Sequence, residues 1–136
     1  MTKRILFFEK PHGYRYKDGE SVMYGQFKRW WDVLGRESKL VKTIDELKLE
    51  AQTGNVGGVV VHWTDERPIE FKASLPQMIF AFYNSGLNES LPPNSAGRIF
   101  IELSPKWGYD FVIDDVPEGC IELEERLEKV ESEVGE

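Results

Sequence analysis

The chain has 136 residues and a formal net charge of −7, with 40% hydrophobic and 30% charged residues. This is enough for one domain with one hydrophobic core over 1–136, and it excludes a two-domain, collagen-like or wholly disordered protein. The single cysteine, Cys120, excludes an intramolecular disulfide and a multi-cysteine zinc site.

The N-terminal part alternates between strand and helix patterns. A continuous apolar run at residues 5–8 predicts a strand that is buried on both faces. Apolar residues at spacings of three and four then predict a helix, which Asp18 or Ser21 caps and Gly35 ends: Met23, Phe27, Trp30, Trp31 and Leu34. Residues 38–42 alternate enough to predict a more exposed strand.

The middle of the chain continues this alternation. A capping box at residues 43–46 opens a second helix that ends near Gly54, and the valines at 59–61 predict another buried strand. Ser74, with Pro76 two residues later, opens a third helix that ends at Gly86. Its segment Met78–Tyr83 is apolar nearly all round, which indicates burial against the sheet and against a partner.

Two further apolar runs, at residues 99–101 and 111–113, predict the last strands. Only a few residues separate them, whereas a parallel crossover needs about a dozen, so we expect an antiparallel hairpin around 105–108. An acidic helix and tail follow over 117–136. The order β-α-β-α-β-α-β-β-α predicts a three-layer α/β fold with an open, mostly parallel sheet of about five strands, Rossmann- or flavodoxin-like.

The carboxyl ends of the parallel strands are where open α/β sheets bind ligands. Both histidines fall at this edge: His62 follows the valine strand, and His12 lies in the long loop after the first strand. His62 could act as a general base or nucleophile together with His12, or it could be a half-buried structural histidine. The same loops supply the candidate ligand-binding residues Glu9, Tyr14, Arg15, Lys17, Thr64, Ser104 and Lys106.

The long first loop, residues 9–19, has two interpretations. It could be a flap that offers cationic and stacking groups to an anionic ligand such as a nucleotide, or a surface loop or small β-hairpin. No glycine-rich phosphate-binding motif occurs, and we predict neither a metal nor a cofactor. Residues 1–42 carry a net charge of +5, which favours an anionic small molecule, whereas the 11 acidic residues at 110–136 count against nucleic acid.

Several segments resemble the receiver domain of response regulators. Residues 4–10 are similar to its first strand, which ends in paired acids, and residues 59–63 to the strand that ends in the phosphorylated aspartate. Residues 101–104 and 108–113 look like its last two strands. Because Glu9–Lys10 and His62 stand at the key positions, the resemblance implies a receiver-like domain without aspartate phosphorylation. It does not by itself assign the family.

Two functional hypotheses follow, and they leave open whether the protein is an enzyme. The leading one is a non-catalytic regulatory or protein-interaction domain, with homodimerisation through the third helix, because no catalytic motif is complete. The alternative is a protein that binds a nucleotide or phosphorylated small molecule, or processes a phosphoester, at the histidine edge. No apolar stretch is long enough for a signal peptide or a membrane span, so we expect a cytoplasmic protein.

Overall fold

A five-stranded sheet forms the centre of the protein in a computed structural model, which describes residues 3–9, 16–17, 20–62, 68–83, 107–113 and 115–134. In chain order the elements are β1 (Arg4–Phe8), β2 (Tyr16–Lys17), β3 (Glu20–Ser21), α1 (Val22–Val33), β4 (Ser38–Val41), α2 (Ile44–Gln52), β5 (Val56–Val61), α3 (Pro68–Phe71), a 3₁₀ turn (Lys72–Ser74), β6 (Ile79–Tyr83), β7 (Phe111–Ile113) and α4 (Val116–Val134). None of the helices in these ranges is long and apolar enough to cross a membrane.

The sheet has the strand order β4-β1-β5-β6-β7, and every pair in it is parallel. This is the flavodoxin-like order, in which the chain moves from β1 to one side and then returns to the other. The predicted fold class is therefore confirmed. The predicted exposed strand at 38–42 is β4, which lies at one edge.

Both faces of the sheet are covered, which explains the continuous apolar runs. In β1, Ile5 and Phe7 pack with α1 and α4 on one face, whereas Leu6 and Phe8 pack with α2 on the other. A strand between two layers needs apolar side chains at every position, so the period-two alternation disappears from its sequence.

The prediction of a third helix is wrong, because the segment Met78–Tyr83 holds strand β6. A short continuous apolar run is typical of a buried strand as well as of a buried helix, and periodicity alone does not separate them. The aromatic residues Phe80, Phe82 and Tyr83 favour the strand. The apolar helical surface that suggested homodimerisation does not exist.

The prediction of an antiparallel hairpin is also wrong. Strand β7 pairs in parallel with β6, with Phe111 opposite Ala81 and Ile113 opposite Tyr83. Residues 84–110 connect the two strands, and this is ample for a parallel crossover. The predicted strand at 99–101 and residues 105–106 of the predicted turn lie outside the described residues.

Two predicted helix starts are confirmed. Ser21 Oγ caps α1 by accepting a hydrogen bond from the Tyr24 amide, and Thr43 Oγ1 caps α2 by accepting one from Glu46. The two adjacent tryptophans of α1 divide as the spacing suggests: Trp31 is buried in the core and Trp30 is exposed. The cap at Ser21 fixes where α1 begins, and the burial of Trp31 shows which face of the helix packs against the sheet.

A buried guanidinium joins three segments at the amino end of the sheet. Arg36, in the turn between α1 and β4, donates two hydrogen bonds to Glu131 of α4, at 2.8 and 3.0 Å. It also donates to Glu124 at 3.3 Å and to the Lys3 carbonyl at 3.0 Å. The bond from Arg36 lowers the pKa of Glu131 to about 2.

We expect Arg36→Met to lower the free energy of unfolding by about 1–3 kcal/mol at neutral pH, because the Glu131 carboxylate loses its charged partner. The pKa of Glu131 lies below its ordinary 4.5, so this contribution is complete above pH 4.5 and is lost as pH falls toward about 2. Urea unfolding across this range measures both effects. Lys28→Met, which breaks the exposed pair with Asp32, is the control and should leave the stability nearly unchanged, because solvent screens this pair.

Gly119 and Gly25 provide a second test of the packing. A Cβ at Gly119 would overlap the Ile113 side chain, whereas a Cβ at Gly25 meets nothing within 4 Å. We expect Gly119→Ala to destabilise the protein by about 1–3 kcal/mol through overpacking of α4 on β7. Gly25→Ala should stabilise it by about 0.5–1 kcal/mol, because alanine restricts the unfolded chain. If the two variants changed the midpoint of thermal unfolding equally, the close packing of α4 on β7 at Gly119 would be contradicted.

Candidate functional site

The candidate site lies where the strand order reverses, between β1 and β5. Glu9 directly follows β1, and His62 directly follows β5. The His62 amide still donates to the Phe8 carbonyl at 3.0 Å, and the Glu9 amide to the Val41 carbonyl at 3.1 Å. Side chains alternate along a strand, so Glu9 continues the row of Phe7 and His62 the row of Val60, on the face that α1 covers.

The Glu9 carboxylate is completely buried, and each of its oxygens is engaged. Oε1 accepts a hydrogen bond from the Ser21 hydroxyl, and Oε2 accepts one from His62 Nδ1. Ser21 also accepts from the Tyr24 amide, so the carboxylate connects through one hydroxyl to the amino end of α1. The positive end of the α1 dipole favours a negative charge at this place. We call Glu9, Ser21 and His62 the Glu9 cluster.

The His62 ring packs beside two aromatic rings that also contact each other. Its centroid is 6.5 Å from that of Phe7, with nearly parallel planes, and 5.4 Å from that of Tyr83. The side chain is only 3% exposed. Within the part of the chain that the structure describes, no donor or acceptor lies within hydrogen-bond distance of Nε2. The ring is thus held by Glu9 at Nδ1 and packed against the rings of Phe7 and Tyr83.

Tyr83, at the end of β6, extends the buried region toward α1. Its hydroxyl donates to Gln26 Oε1 at 3.3 Å. Burial, together with the negative charge of Glu9, raises the pKa of Tyr83 to about 12. The phenol therefore stays neutral at physiological pH and acts here as a hydrogen-bond donor.

Cys120 and the acidic residues are further groups with possible chemistry. Burial raises the pKa of the Cys120 thiol to about 12, so it remains a protonated thiol and a poor nucleophile. Among the described residues, no group of three or more histidine, cysteine, aspartate or glutamate side chains could hold a metal ion.

The structure brings two of the predicted site residues together, namely Glu9 and His62. Strand β2 contains the backbone of Lys17, in the small antiparallel hairpin with β3, which is one of the two forms expected for the first loop. The remaining predicted residues lie outside the described part of the chain: His12, Tyr14, Arg15, Thr64, Ser104 and Lys106. Their roles stay predictions.

Ser21 and Tyr83 are members of the site that sequence reasoning did not select. Ser21 was expected only as a helix cap, and its contact with Glu9 depends on how α1 packs against β1. Tyr83 was assigned to a helix, so its place at the end of β6, beside the ring of His62, could not be expected. The strand alternation that puts Glu9 and His62 on one face was the available signal.

A comparison with known proteins supports the assignment of the fold. One similar solved structure is the crystal structure of an orphan response regulator of H. pylori, with a TM-score of 0.56 and 17% sequence identity. The match covers 92% of this chain and 96% of that one. At this identity the likeness establishes the fold alone. No protein-family model matches the chain, and no curated protein matches its sequence.

Ser21→Ala and Thr43→Ala form a matched pair that tests the Glu9 cluster. Both remove a helix cap, which costs about 1 kcal/mol. Ser21→Ala also takes a donor from a buried carboxylate, so we expect a total loss of about 2–4 kcal/mol. Urea unfolding of the two variants measures the difference. Equal losses would show that the Ser21–Glu9 hydrogen bond contributes nothing to stability.

Proposed function

We propose that this protein is a non-catalytic regulatory domain that acts through protein contacts. The observation that carries the proposal is the closed state of the Glu9 cluster. At the place where a sheet of this order binds its ligand, the side chains described here are buried and hydrogen-bonded to each other. A phosphoryl group or a metal ion would have to break these bonds before it could bind Glu9.

The comparison supports a regulatory role by analogy. The similar protein from H. pylori is described as an orphan response regulator. The position that resembles the phosphorylated aspartate of receiver domains holds His62, and the acid pair is reduced to Glu9 followed by Lys10. Since Glu9 already serves Ser21 and His62, we infer that this domain does not depend on aspartate phosphorylation.

A second candidate function rests on His62 itself. A carboxylate that holds Nδ1 and leaves Nε2 without a partner in the described residues is the orientation of a general base. This favours a protein that binds a nucleotide or phosphorylated small molecule, or an enzyme that processes a phosphoester. The burial of the ring, whose side chain is only 3% exposed, weighs against it, because a general base must come within hydrogen-bond reach of its substrate.

The finer parts of the regulatory hypothesis remain proposals. We propose that the domain acts by self-association or by binding a partner protein. The segment that first suggested a dimer was predicted as a helix and is strand β6. An anionic small molecule belongs to the second candidate function. A cytoplasmic location stays a prediction.

A thermal-unfolding screen separates the two functions. We expect ATP, GTP, inorganic phosphate and magnesium each to leave the midpoint of the wild-type protein unchanged. A ligand at 100 times its Kd would add about 2.7 kcal/mol of stability. A shift that is present in the wild type and absent in His62→Gln would overturn the regulatory proposal and support a ligand site at His62. Leu49→Ala, at an exposed position of α2 that contacts no member of the site, serves as the control variant.

A further inference from the structure

Helix α1 has a second apolar face that the core does not use. Phe27 and Trp31 are buried against the sheet, but Val22, Trp30 and Val33 are 40%, 46% and 76% exposed. At 100° per residue these three side chains share one side of the helix. A helix that is apolar on two sides is typical of burial on both. The outward face of α1 therefore lacks a covering element within the described structure.

This face continues into a groove against the start of α4. The groove has a volume of about 420 Å³, and its lining comes from α1 and from the turn that enters α4: Gln26, Arg29, Trp30, Asp115, Val116 and Pro117. The indole, the valine and the proline provide apolar surface. A half-exposed tryptophan at the centre of such a surface is the residue type that most often dominates binding energy.

Charges of opposite sign stand on the two sides of the groove. Arg29 is exposed on α1 and forms no ion pair with the described residues. Asp115 is exposed before α4, where its Oδ1 accepts from the Glu118 amide and its second oxygen has no hydrogen bond to the described chain. Because Arg29 and Asp115 line the same groove, a two-fold dimer through this groove can set Arg29 of each copy against Asp115 of the other. A surface that complements itself in this way fits a symmetric dimer.

We propose that the outward face of α1 and its groove form the docking site for a second copy of this chain. Trp30 of each copy packs on Val116 and Pro117 of the other, and two Arg29–Asp115 ion pairs flank the contact. The inference rests on the proposed function, since it makes self-association the output of the regulatory domain. Exposed apolar side chains alone would fit many kinds of partner. A face that also carries one positive and one negative side chain fits a second copy of the same face.

Sedimentation equilibrium of the full chain, from low-micromolar to submillimolar concentration, is the test. The wild type should show a reversible monomer–dimer equilibrium. We expect Trp30→Ala, Arg29→Asp and Asp115→Lys each to raise the dissociation constant at least about tenfold. Leu49→Ala removes an exposed leucine of α2 and should leave the equilibrium unchanged. Asp115→Asn, which keeps a capping side chain, should weaken the dimer without unfolding α4.

Mixing the charge variants gives the decisive result. Arg29→Asp and Asp115→Lys should each be monomeric alone and should form a heterodimer when they are mixed. In this heterodimer both ion pairs are restored, because one pair keeps its native charges and the other pair has its charges exchanged. The double variant should dimerise with itself. A monomeric wild type, a dimer that ignores these substitutions, or a mixture without rescue would each overturn the interface. The ligand screen is independent, so the regulatory proposal can stand while the interface fails.

Discussion

A carboxylate that is completely removed from water is stable only where hydrogen-bond donors meet it, and Glu9 is such a group. Its donors come from Ser21, at the start of α1, and from His62, after β5. Three segments that are far apart in the chain therefore converge on one side chain. The relative positions of β1, β5 and the first turn of α1 are set by this requirement as much as by the apolar core. The chemistry of the candidate site and its closed state follow from the same contacts.

Much of the fold is readable from the sequence because its signals are local. The caps at Ser21 and Thr43 depend on residues a few positions away, and the doubly apolar strands follow directly from burial on two faces. The prediction for the segment Met78–Tyr83 was wrong for the opposite reason. Its apolar run is compatible with a helix or a strand, and only its neighbours β5 and β7 decide between them. The hairpin error has a separate cause, since residues 111–113 were expected to pair with the run at 99–101, whereas β7 pairs with β6.

The candidate site was predictable at the level of the sheet edge but not at the level of its contacts. Glu9 and His62 follow parallel strands, so the rule for open sheets places both at the same edge. That they bind each other, and that Ser21 completes the set, depends on strand order and on the packing of α1 over β1. These are tertiary facts with no local sequence signal. A structural role for His62 is our proposal from these contacts.

The double role of Ser21 also bears on how the protein opens. Its hydroxyl accepts from the Tyr24 amide and donates to Glu9, so fraying of the first turn of α1 would leave a buried charge short of a donor. Most helix ends fray at little cost, with local openings well below the free energy of global unfolding. Here the end of the helix and the interior of the sheet share one hydrogen-bonded group. Opening the first turn of α1 should therefore cost more free energy than the fraying of an ordinary helix end, because it also removes a donor from Glu9.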